Sequence, residues 1–280
     1  MVERSRFGLN RIICPTLDIK DFFQLANDLE LQYVELRNDL PEKNIIDDYS
    51  VQEIRSLIRY YNVKICSINA LQEFNYLAKI DKTKKELKDL VSLAREIDCQ
   101  AIIMCPFNKV DISQQNQNLE TYYQETILAL KELLPLFQNN GLMGYIEPLG
   151  FATSSLRSTL STMKLIKETG YEVYKIVHDT FHHFLGTDYL KLLGMQYDME
   201  CTGLMHISAV TTDISPEKYR DEHRNMDFKR DKLNNKEQVD LFVKEGYEGI
   251  ISFEPFAKEV QRLKVRESKE LIDKAIEYFG

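Results

Sequence analysis

Four side chains in the second half of this chain have the types and positions needed to share a divalent cation. They are Glu147 in Gly144-Tyr-Ile-Glu-Pro148, Asp179 in Ile176-Val-His-Asp-Thr180, His206 in Leu204-Met-His-Ile207 and Glu254 in Ile251-Ser-Phe-Glu-Pro255. Each closes a short apolar run, and the four runs are successive. Three carboxylates buried close together are costly unless a cation neutralises them, so a metal ion is the simplest partner for such a set. With one imidazole and no thiolate, the donors suit Mn²⁺, Mg²⁺, Co²⁺ or Zn²⁺. Taken singly, each has an ordinary alternative: Glu147 as a solvated loop acid, His206 as a hydrogen-bonded core histidine, Asp179 as a helix N-cap. Their repetition at successive run ends is what favours a common site. All five histidines, His178, His182, His183, His206 and His223, fall in this same half.

The elements that must position these groups alternate along the whole chain. Strand-like runs stand at Phe7–Cys14, Tyr33–Leu36, Lys64–Ile68, Ala101–Cys105, Gly144–Glu147, Lys175–His178, Gly203–Ile207 and Gly249–Phe253. Amphipathic stretches follow them at Ile19–Glu30, Val51–Tyr61, Lys82–Ile97, Leu119–Gln138, Ser158–Glu168, Asp188–Glu200, Lys236–Glu245 and Glu267–Phe279. Shared among eight such units, 280 residues give about 35 each, which predicts an α/β fold of the (β/α)8 TIM-barrel type over residues 1–280 as a single domain. In such a barrel the strand C-terminal ends carry function. Two stretches, Asn108–Asn118 and Ser215–Asn235, are long for connections and belong on that face.

Composition narrows the function. Lys and Arg number 36 against 44 Asp and Glu, a net charge of −8, which disfavours nucleic acid or an anionic membrane as a partner. The five cysteines are scattered and never in a CxxC, so they read as reduced and mostly buried, and the protein as cytoplasmic. No window approaches the ~18 apolar residues of a membrane span. The helix faces read as ordinary packing stripes, with which a homo-oligomer is compatible.

The ordered set Tyr33-Val-Glu-Leu-Arg37, Ser67-Ile-Asn-Ala-Leu71, Ile146-Glu-Pro-Leu-Gly150, Asp179-Thr-Phe-His-His183, Met205-His-Ile207, His223-Arg224 and Phe253-Glu-Pro-Phe256 resembles the xylose isomerase-like barrel superfamily. Those barrels include sugar isomerases and epimerases as well as endonuclease IV; the chain is most similar to the isomerases of 2-keto-myo-inositol, an inosose of inositol catabolism. The resemblance implies one divalent metal held by Glu147, Asp179, His206 and Glu254, with His182 and Arg224 contacting substrate oxygens. Two features depart from the family pattern. His206-Ile-Ser-Ala-Val lacks the acidic residue often found there, and Asn225-Met-Asp-Phe-Lys replaces a Pro-Gly-x-Gly-like turn.

A keto-polyol isomerises by losing the proton beside its carbonyl, giving an enediolate that must be stabilised. Glu147 and Glu254, on the fifth and eighth strands, are the expected catalytic pair, addressing opposite faces of one substrate. Asp179 and His206 are expected as ligands only. Asn69 and Glu35 are weaker candidates at the ends of strands three and two, Asn69 as a substrate contact. His178 is expected to point away, into the barrel–helix layer, and His183 to be structural. Other readings are a ketose 3-epimerase, a hydroxypyruvate isomerase, a non-catalytic sugar-binding barrel, or an endonuclease IV-like phosphodiesterase. The last needs early-strand histidines and a basic groove; this chain has no histidine before residue 178.

Overall fold

In the computed structural model, which describes residues 2–170 and 172–280 and leaves out the side chains of residues 114–117, every strand pairs in parallel with the next and the last returns to the first. The strands are β1 (Phe7–Asn10), β2 (Tyr33–Arg37), β3 (Lys64–Leu71), β4 (Ala101–Met104), β5 (Met143–Ile146), β6 (Tyr174–Asp179), β7 (Thr202–Ile207) and β8 (Ile251–Phe253). Closure sets Phe7 beside Ile251 and Leu9 beside Phe253. Helices α1 (Ile19–Asp28), α2 (Val51–Tyr61), α3 (Ile80–Glu96), α4 (Gln115–Gln138), α5 (Thr159–Thr169), α6 (Thr180–Leu185), α7 (Leu190–Gln196), α8 (Asn235–Lys244), α9 (Lys258–Gln261) and α10 (Val265–Phe279) follow the strands. This is the (β/α)8 barrel that the alternation predicts.

Local chemistry sets the boundaries. Helix α2 starts with a capping box between Ser50 and Glu53 and stops at Asn62 in the left-handed region, φ 52°. The first strand ends at Asn10, short of the expected Cys14, because the Asn10 side chain accepts the Ile12 N–H and starts a 3-10 turn over Arg11–Ile13. The helix expected at Asp188–Glu200 is shorter, α7 over Leu190–Gln196 followed by a 3-10 turn at Met199–Cys201, and a further, unexpected helix, α6, precedes it. Asp188 is taken up elsewhere, accepting from Ser158 Oγ and the Leu160 N–H at the head of α5. Helical structure also begins earlier than expected after β4, at Ile112, whereas Ser215–Asn235 is irregular apart from three short 3-10 turns.

The main core lies between barrel and helices, where Phe7 stacks on Phe253 at 5.4 Å and Phe279 of α10 completes the group. A smaller cluster, including Ile103, Val177 and Leu204, fills the barrel interior. All five cysteines are free and buried. Among the described residues no helix is long and apolar enough to cross a membrane.

His178 lies in the barrel–helix layer as expected: its ring packs at 4.0 Å on Phe242, its Nε2 meets Gln238 at 3.0 Å, and His183 lies 5.0 Å away. Burial, only partly offset by Asp188, pulls the His183 imidazole down to about 4. An unfolded histidine protonates near 6.5, so as pH falls from about 6.5 to about 4 the unfolded chain gains a proton that the folded chain refuses. The contribution of His183 is complete above pH 6.5, and about 3 kcal/mol is lost by pH 4. The variant His183→Phe should therefore show a flatter stability curve than the parent across this window in urea titrations; parallel curves would contradict the assignment.

Candidate metal centre

Asp179 takes the helix-cap role with one oxygen and turns the other toward His206. Its Oδ1 caps α6, accepting the N–H groups of Phe181 at 2.7 Å and His182 at 3.0 Å. Its Oδ2 is left facing the barrel mouth, 3.9 Å from His206 Nδ1. The same nitrogen lies 2.8 Å from Glu147 Oε1 and 3.3 Å from Glu254 Oε2. The four candidate ligand atoms lie within 4.8 Å of one another, and all four residues are buried. Two donors at about 2.2 Å from a shared ion stand at most about 4.4 Å apart, so this spread is close to what a single ion requires.

Charge supports the same conclusion. Among the described residues the buried carboxylates are Glu35, Glu147, Asp179 and Glu254, and the buried guanidiniums facing them are Arg37 and Arg224. Four negative charges against two positive leave a deficit of two, which a divalent cation would balance. Without one, a proton on His206 offsets one of the two: burial disfavours charge on the ring, but Glu254, Glu35 and Glu147 outweigh it and hold that proton well above the usual imidazole range. Glu254 is held well below the carboxylate range, burial being overcome by His206, Arg224 and Arg37.

The remaining candidates are brought to the same place. Asn69 donates to Glu254 Oε1 at 3.0 Å. Arg224, 1% exposed, donates through Nη2 to Asp179 and Glu254 and through Nε to Ser208, and its guanidinium lies over the rings of Phe181 and Phe256. His182 Nδ1 accepts the Gly150 N–H at 3.3 Å, which in the neutral ring leaves the proton on Nε2. Glu147 and Glu254 stand three strands apart, yet their donor atoms meet at the centre. Sequence reading missed Asn10 and Arg37, which donate to Glu254 Oε1 at 3.2 and 2.8 Å. Both stand at strand ends in the first half, so the rule used for the second half could have found them.

A cavity of about 200 Å³ opens beside these groups, with Asn69, His182, Arg224 and Phe256 in its wall. It shares Asn108, Phe151 and Asp221 with a cleft of about 660 Å³, one side of which is built by residues 216–221. Both long connections singled out in the sequence thus border the way in. Phe74 is fully buried packing, while Phe107 stacks on Tyr76 at 4.5 Å.

Gly150 holds His182 by close approach, since a Cβ there would collide with the His182 carbonyl and the Leu185 side chain. Gly150→Ala is expected to cost about 1–3 kcal/mol through overpacking. It should also raise KM more than a surface Gly→Ala control; thermal melts and steady-state kinetics would check both.

Comparison with known proteins is consistent with this architecture. A family model described as xylose isomerase-like TIM barrel matches residues 23–279. An inosose isomerase from Halalkalibacterium halodurans is 22% identical over 255 residues, covering 87% of each chain. Among solved structures, a xylose isomerase domain-containing protein from Salmonella typhimurium LT2 superposes with a TM-score of 0.91 at 34% identity, covering 100% of this chain and 98% of that one. The IolI protein with a bound zinc atom superposes with a TM-score of 0.85 at 18% identity, covering 97% and 96%. A D-psicose 3-epimerase with D-tagatose from Clostridium cellulolyticum H10 gives 0.71 at 13%, covering 98% and 99%. The last two are likenesses of fold.

Proposed function

Because the chain belongs to the xylose isomerase-like TIM-barrel family, we propose that it is a divalent-metal-dependent isomerase or epimerase of keto-sugars or keto-polyols, with 2-keto-myo-inositol as the first substrate to test. The observation that carries this reading is the cluster of Glu147, Asp179, His206 and Glu254, which together with buried Glu35 is two charges short of neutrality after Arg37 and Arg224 are counted, beside a cavity with polar walls. The inosose isomerase relative supports the choice of substrate, and the epimerase neighbour keeps a ketose 3-epimerase as the second reading.

These four residues would hold the cation, which when bound supplies Lewis acidity toward the substrate's carbonyl oxygen. The chain's own groups do the rest. Glu147 takes the proton from the carbon beside the carbonyl, and Glu254, protonated from solvent for that step, delivers one to the opposite face while Glu147 returns its own to solvent, or the reverse for the opposite epimer. His182 donates its Nε2–H to a substrate oxygen, and Asn69 and Arg224 orient the hydroxyls. Arg37 and Arg224 both lie over the Phe256 ring, which shields that side of the site from water.

The test is to load the protein with Mn²⁺ or Co²⁺ and follow 2-keto-myo-inositol in D₂O by proton NMR, with fructose, tagatose and hydroxypyruvate alongside. Deuterium uptake with a new inosose isomer is the expected result. Exchange confined to a ketose would favour the epimerase reading, and no exchange anywhere with metal bound would refute the proposal.

A further inference from the structure

Glu35 is fully buried in the barrel, on the opposite side of the His206 ring from the other three carboxylates. Both of its oxygens lie 3.1 Å from His206 Nε2. Ser67 Oγ donates to it at 2.6 Å, Ser252 Oγ at 2.5 Å and Asn10 Nδ2 at 3.4 Å. The barrel register makes this a single layer: Glu35 pairs with Asn10 on β1 and Ser67 on β3, and His206 pairs with Ser252 on β8. A shift in register between Val34 and Glu35 falls at this layer.

We infer that Glu35 is a positioning residue that fixes the tautomer and ring orientation of His206, so that Nδ1 is the atom presented to the metal. The inference rests on the metal site proposed above. An ionised carboxylate only accepts, so His206 must keep its proton on Nε2 to satisfy Glu35. The lone pair is then on Nδ1, toward Glu147, Asp179 and Glu254. The three donors around Glu35 keep it from rotating, and with its oxygens so engaged Glu35 is not itself a ligand. Carboxylates placed behind a ligating imidazole typically change metal affinity 10–100-fold.

Glu35→Gln keeps the shape and can still accept from Nε2–H, but removes the charge. Titrated with Co²⁺ alone, this variant is expected to bind about 10–100-fold more weakly than wild type, with a shifted visible absorption. In the Zn²⁺-loaded proteins, the His206 Nε2–H should give a slowly exchanging, downfield proton resonance in wild type that moves upfield in Glu35→Gln. Equal affinity with unchanged absorption and resonance, in a variant whose circular dichroism matches wild type, would overturn the inference. Should that variant not fold, the pair Ser67→Ala and Ser252→Ala loosens Glu35 without touching it or His206; weaker Co²⁺ binding supports the inference and unchanged binding overturns it. A wild type that binds no Co²⁺ would refute the metal site itself, a distinguishable failure.

Discussion

Glu147→Gln is expected to slow deuterium uptake into the keto-polyol by about 10²–10⁴-fold, the usual contribution of a positioned acid or base. The substitution keeps an oxygen where Glu147 Oε1 faces His206 and replaces only the atom beside Cys105 Sγ, 3.6 Å away. Metal binding should thus survive in weakened form while the proton-accepting oxygen is lost. Glu254 is the less informative target, since its oxygens also accept from Asn10, Arg37, Asn69 and Arg224 and its replacement would disturb all four. Full exchange by a metal-loaded Glu147→Gln protein would remove Glu147 from the chemistry.

Arg224→Met is expected to destabilise the metal-free protein by about 3–5 kcal/mol, because it leaves the buried charges of Asp179 and Glu254 without the guanidinium that bridges them at 2.5 and 2.8 Å. In a chain of 280 residues that corresponds to a drop in Tm of about 5–9 °C. The effect should shrink when Mn²⁺ is added, because the cation binds the folded state and compensates the same two carboxylates. Scanning calorimetry with and without Mn²⁺ checks it: a metal-free Tm within about 2 °C of wild type would mean that Arg224 is not what neutralises the cluster.

Much of the fold was legible because each βα unit carries its own signals: an apolar run, a capping residue, an amphipathic stripe. Val51–Tyr61 matches helix α2 at both ends for that reason. The candidate ligands of the second half were legible because they repeat at strand ends. What escaped the sequence depends on contacts between distant units. The early stop of β1 follows from one Asn10 side chain whose amide also reaches Glu254, 244 residues later. Asp188 reads as a helix residue until Ser158 and Leu160 are seen to claim it. Glu35 stood out only as an acid near a strand end, since nothing in Tyr33-Val-Glu-Leu-Arg37 reveals that a histidine from β7 lies behind it.

The pairing of β8 with β1 also dictates when the centre can exist during synthesis. At ~5–20 residues per second, the 244 residues between Asn10 and Glu254 take roughly 12–50 s to translate. Throughout that interval the outer edge of β1 has no strand beside it, and Arg37 and Asn69 wait for their carboxylate. A ribosome-bound chain halted before β8 would carry three of the four candidate ligands and no closed barrel. The eighth strand both seals the sheet and brings Glu254, the last of the four clustered residues, to its mouth.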